Sequence, residues 1–97
     1  MGYRLTAAAD EDLVRILLEG DREFGFERAV RYVRKINDIF DLIARNPRLA
    51  RERNEISPGL RAHPHRSHLI LYVIDDSDEV LIVRVRHLRE DWSSNPF

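Results

Sequence analysis

Apolar and polar positions divide this chain into six segments with two different periods. Tyr3-Arg4-Leu5 alternates and predicts a short first strand. Thr6 is placed to cap a helix whose first turn holds Asp10, Glu11 and Asp12, acids that suit the positive end of a helix dipole. Ala9, Leu13, Ile16, Leu17 and Phe24 then recur at helical spacing, and Gly25 is a natural terminator. Ala29, Tyr32, Val33, Ile36, Ile39, Phe40, Ile43 and Ala44 form a second, very regular stripe that Asn46-Pro47 stops. The single-glycine link makes the two helices an antiparallel hairpin.

The second half has the period of strands. Residues 47 to 59 read as a basic connector ending at Pro58-Gly59, and Leu60 to His63 as a strand halted by Pro64. Two β-branched runs follow, His68 to Ile74 and Val80 to His87, joined through Asp75-Asp76-Ser77-Asp78-Glu79 as a hairpin. The order is β-α-α-β-β-β. It predicts an α+β fold in which an N-terminal strand and a helical hairpin pack on one face of a small antiparallel sheet. Alternation along the last strand sends Leu81, Val83, Val85 and His87 toward the helices. Val80, Ile82, Arg84 and Arg86 then share the other face, as an apolar patch beside two guanidinium groups.

Ninety-seven residues make one domain, with 93–97 expected to fray. With no cysteine, disulfides and thiolate metal sites are excluded and a cytoplasmic location is the expectation. No apolar leader opens the sequence, and Leu69 to Ile74 is far short of the ~20 residues of a membrane span. The net charge of −1 hides an asymmetry: residues 45–68 carry six arginines against two acids, whereas residues 1–44 carry seven cations against nine acids. A basic middle beside an acidic helical half suits an anionic partner. His63, His65 and His68 are numerous enough to hold a metal, but Pro64 interrupts them and no cysteine supplies a fourth ligand. They read as strand and turn histidines, with no metal and no cofactor.

Taken in order, Leu13-x-x-Ile16, Phe24-Gly25-x-x-x-Ala29-x-x-Tyr32, Ile43-Ala44-x-Asn46-Pro47, His68-Leu-Ile-Leu-Tyr72 and Ile82-Val-Arg84-Val-x-His87 resemble the ParE toxins of the RelE/ParE superfamily, over nearly the whole chain. The resemblance implies the toxin of a type II toxin–antitoxin module, in a hetero-oligomer with a ParD-type antitoxin. DNA gyrase would be the target, inhibited by binding and without enzymatic activity. On that reading Arg84, Arg86, His87, Arg89, Asp91 and Trp92, with Arg61 and Arg66 nearby, face the target. Arg28, Arg31, Lys35 and Asp38 on the helices, with Val80 and Ile82 on the sheet, face the antitoxin. The alternative is a RelE-like ribosome-dependent mRNA endoribonuclease, with His87 as acid or base, Arg66 or Arg84 as phosphate clamp and Glu52 or Glu55 as a second proton-transfer group. The sheet region has no lysine and no tyrosine follows the last strand, a departure from RelE-like enzymes that favours the binding inhibitor.

Overall fold

The computed structural model describes residues 2–97, and the elements run β1 (Tyr3–Leu5), α1 (Ala7–Phe24), α2 (Phe26–Arg45), β2 (Arg61–His65), β3 (His68–Ile74) and β4 (Val80–His87). The sheet order is β1-β4-β3-β2. β2, β3 and β4 are antiparallel neighbours, while β1 pairs with β4 in parallel, so the sheet is mixed. The helical hairpin is the crossover that a parallel pairing requires.

Thr6 performs two tasks at the first junction. Its hydroxyl oxygen accepts from the Ala9 amide at 3.0 Å, capping α1, and its hydroxyl proton goes to the Val83 carbonyl at 2.7 Å. At the other end of α1, Gly25 takes φ +90°, donates to Asp21 and accepts from Ala29, so one residue ends one helix and begins the next. The helices then come close: a Cβ on Gly20 would lie 3.1 Å from that of Ala29. Phe24, at the tip of this hairpin, is exposed and takes no part in the core stripe expected of it.

Two apolar clusters occupy opposite faces of the sheet. Ile16, Ile36, Phe40 and Ile43 of the helices meet Ile70, Tyr72, Val80, Ile82 and Val85 in the larger one. Alternate residues of β3, Leu69 and Leu71, turn the other way and join Leu60, under the connector residue Ile56 and Trp92. The Tyr72 hydroxyl donates to Pro47 O (2.8 Å) and accepts from Ala50 N (3.2 Å), pinning the start of the connector.

Four expectations need correction. A β-bulge lies in β4: Leu71 pairs with Arg84 but Tyr72 with Ile82, so Val83 has no partner. The extra residue reverses the alternation, and Val80 and Ile82 lie in the helix-covered core at 1% and 0% exposure. They are unavailable to an antitoxin, although Val85, Arg84 and Arg86 beyond the bulge take the faces that simple alternation predicts. Pro64 does not halt β2, because β2 is an edge strand where a missing N–H is tolerated. The sheet is not wholly antiparallel, as β1 shows. The segment 93–97 is tied down, since Arg86 donates to Asn95 O at 2.6 Å and Arg84 to Phe97 O at 2.9 Å.

Candidate functional site

The arginines expected to face a target are largely occupied within the molecule. Arg84 makes a two-pronged contact with the fully buried Asp12 of α1, Nε to Oδ2 at 2.7 Å and Nη2 to Oδ1 at 2.8 Å. Asp12 also accepts the Val85 amide at 2.9 Å, just past the point where β1 ends, and so stands in for the missing strand on that edge of β4. Arg15, one turn along α1, closes the same carboxylate from outside. Burial alone would raise the Asp12 pKa, but the hydrogen bonds from Arg84, Val85 and Arg15 together hold it below the ordinary carboxylate value. Arg84 is raised in turn, chiefly by its hydrogen bond to Asp12.

Arg86, 8% exposed, bonds to Glu90 (3.0 Å) and to Asn95 O. Arg61, equally buried, reaches Ala50 O (2.5 Å) and Glu52 (3.2 Å). Trp92 packs against the Leu60 cluster, with the Arg53 guanidinium 5.5 Å from its ring centroid. Arg89 and Asp91 are exposed on the turn that follows β4. Arg84 and Arg86 hold the C-terminal segment against the sheet and Arg61 holds the connector; they do not present an open cationic edge.

A second group comes together on the helix side. In the β3–β4 register His68 stands opposite His87, and their rings meet edge to face at 5.2 Å. The Tyr32 hydroxyl lies 2.6 Å from His68 Nδ1, and His65 is a further neighbour of the Tyr32 ring at 5.7 Å. His87 Nδ1 accepts the Arg89 amide at 3.0 Å, which leaves Nε2 to carry the proton of the neutral ring. Burial, then the adjacent His87, pushes the His68 imidazole below its ordinary value. Burial followed by Arg66 does the same to His65, and burial raises the Tyr32 hydroxyl.

Tyr32, His68 and His87 line a cleft of about 580 Å³ between the helical hairpin and the β2–β3 turn, whose walls also include Arg28, Arg31, Lys35, Arg66 and Ser67. Arg66 is held there by a two-residue turn in which it takes φ +54°. Arg28 stacks on the Phe24 ring at 5.1 Å. Among the described residues, Arg31, Lys35 and Arg66 have no side-chain hydrogen bond or ion pair, and Arg28 has only its ring contact.

The structure therefore sorts the expected residues into two sets. His87 and Arg66 share the cleft with Arg28, Arg31 and Lys35. Asp38 is exposed on α2 and is not part of the cleft lining. The alternative nuclease set is divided: His87 and Arg66 stay together in the cleft, whereas Arg84 is bound to Asp12, Glu55 is paired with Arg53 at 2.7 Å and Glu52 with Arg61 at 3.2 Å. Tyr32 and His68 were read as core and strand positions and missed as site groups. A tyrosine in a core stripe needs a partner for its hydroxyl, and that was the available signal. Asp12, three residues after Ala9 and four before Ile16 on the apolar face, carried a similar one.

A family model described as the ParE toxin of the type II toxin–antitoxin system, parDE, matches residues 3–92. Toxin ParE1 of Mycobacterium tuberculosis (strain ATCC 25618 / H37Rv) is 33% identical over 93 residues, covering 96% of this chain and 95% of that protein. Toxin ParE3 of Caulobacter vibrioides (strain ATCC 19089 / CIP 103742 / CB 15) is 27% identical over 77 residues, 79% of this chain and 77% of that protein. Among solved structures, a chain of the chromosomal ParDE system from P. aeruginosa superposes with a TM-score of 0.79 at 20% identity, over 90% of this chain and 95% of that one. A chain of the RelBE2 toxin–antitoxin complex from Mycobacterium tuberculosis gives 0.68 at 22% identity, over 89% and 95%. The fold is thus shared with chains of both systems, and the sequence match across almost the full length carries the assignment: the chain belongs to the ParE toxin family and is a toxin of a type II toxin–antitoxin system.

Proposed function

We propose that this toxin acts in the cytoplasm by binding and inhibiting DNA gyrase, without catalysis, and is neutralised in a hetero-oligomer with a ParD-type antitoxin. The observation that carries this reading is the division of its cations. Arg61, Arg84 and Arg86 are committed to internal acceptors, the last two shaping the C-terminal surface, on which exposed Arg89 and Asp91 and the partly buried Trp92 remain for a target. Arg28, Arg31, Lys35 and Asp38 are exposed along the helical hairpin, where an amphipathic antitoxin segment has both charge and a groove to meet. Pairing of Arg84 with Asp12 and of Glu55 with Arg53 takes one clamp candidate and one proton-transfer candidate away from His87 and Arg66, which supports a binding inhibitor over a ribonuclease.

The test is a paired assay of the purified toxin. Gyrase supercoiling should stop while mRNA in a translating-ribosome reaction stays intact. Normal supercoiling at saturating toxin refutes the target. Codon-positioned cleavage lost on His87→Ala reverses the choice of mechanism. Failure to co-purify with the product of an adjacent small reading frame refutes the antitoxin assignment.

A further inference from the structure

We propose that the cleft floored by Tyr32, His68 and His87 is a binding site for a phosphate oxyanion, as a phosphomonoester or phosphodiester. The inference goes beyond the toxin reading and holds whichever target the toxin has. It begins from the charges. Elsewhere the buried arginines are saturated by carboxylates and carbonyls, whereas Arg31, Lys35 and Arg66 line one concave surface and, among the described residues, have no hydrogen-bond acceptor. Glu19 and Glu23 on the α1 wall offset only part of this positive charge, and an anion in the cleft offsets the rest.

The neutral donors fit the same ligand. Arg89 N–H occupies His87 Nδ1, leaving Nε2–H free to donate. Tyr32 engages His68 through Nδ1, and among the described residues the other ring nitrogen of His68 has no hydrogen-bond partner. Ser67 lines the same space, its side chain next to the Tyr32 hydroxyl. A carboxylate is satisfied by a single guanidinium fork, whereas a phosphate presents more oxygens in a tetrahedral array and uses donors from several directions. Glu19 and Glu23 on the α1 wall set against Arg28, Arg31, Lys35 and Arg66 leave a formal surplus of two positive charges. That surplus matches one phosphate group and disfavours a polyphosphate.

The experiment follows the imidazole resonances of His68 and His87 by NMR while inorganic phosphate, adenosine 5′-monophosphate or a short single-stranded RNA is added at constant ionic strength. Saturable shifts at both histidines with any of the three support the site. A preference for the monophosphate or for the strand tells a small ligand from a nucleic-acid backbone. Lys35→Met combined with Arg66→Asn, which keeps a residue tolerant of positive φ, should weaken phosphate by about tenfold or more with unchanged circular dichroism. Three results would overturn the proposal: no saturable shift, an equal response to chloride, or acetate bound as tightly as phosphate. An unaltered affinity in the double variant would overturn it as well.

Discussion

Replacing Asp12 with alanine tests the reasoning about β4 most directly. The substitution removes a fully buried carboxylate, leaves the Arg84 guanidinium, whose side chain is 18% exposed, with only the Phe97 carbonyl, and strands the Val85 amide. Removing one partner of a buried, hydrogen-bonded ion pair costs about 3–5 kcal/mol. Arg15 contributes little to that sum, because its side chain is half exposed and surface pairs are worth at most about 1 kcal/mol. Against a total stability of about 5–15 kcal/mol, the loss is a large fraction. At roughly 4–8 °C per kcal/mol for a chain of this size, Tm should fall by at least about 12 °C. Thermal and urea unfolding of Asp12→Ala, Arg84→Met and the double variant form the cycle. Arg15→Ala serves as the weak control. The double variant should cost less than the sum of the singles by at least about 1.5 kcal/mol, the worth of a hydrogen bond to a charged group. Amide exchange at Val85 should accelerate in Asp12→Ala even where the rest of β4 stays protected. Additivity within about 0.5 kcal/mol would refute the pairing as an energetic unit.

Tyr72→Phe should cost about 1–3 kcal/mol in urea unfolding, because Pro47 O and Ala50 N both lose their partner; a change near zero would mean the connector is not pinned there. Gly20→Val forces a branched side chain into the 3.1 Å approach to Ala29 and should destabilise by about 1–3 kcal/mol, and an unchanged Tm would refute the close helix contact. The folded-state pKa of His68 and His65 is depressed, so the unfolded chain protonates first. Stability is therefore full above the ordinary imidazole value of 6.5 and falls as pH drops through the window below it. Melting curves between pH 7.5 and 5.5 should show this decline, and His68→Gln should flatten it; identical slopes would exclude His68 as the source.

Periodicity and punctuation made both helices legible, since Thr6, Gly25 and Asn46-Pro47 act on the backbone beside them. The β3–β4 hairpin was legible for the same reason. Asp75 accepts the amides of Ser77 and Glu79 within its own turn, an interaction settled over five residues. The ordered motifs from Leu13 to His87 carried the family as well, because they record the spacing of those same elements.

Positions beyond local reach were decided in three dimensions. The bulge at Val83 depends on how β4 meets β3 and on where β1 stops, and neither leaves a mark on the alternating run Val80–His87. One extra residue was enough to exchange the faces of Val80 and Ile82. Asp12 looked like a helix-dipole acid because only the tertiary fold brings Arg84 and Val85, more than seventy residues away, against it. Arg84, Arg86 and Arg61 formed a cationic set in the sequence, but folding paired each with an acid or a carbonyl. The same folding gathered Tyr32, Lys35, Arg66, His68 and His87 from α2, β3, β4 and a turn into one cleft. A side chain's chemistry is written in the sequence; whether its charge is spent inside the fold or left for a partner depends on contacts between distant segments.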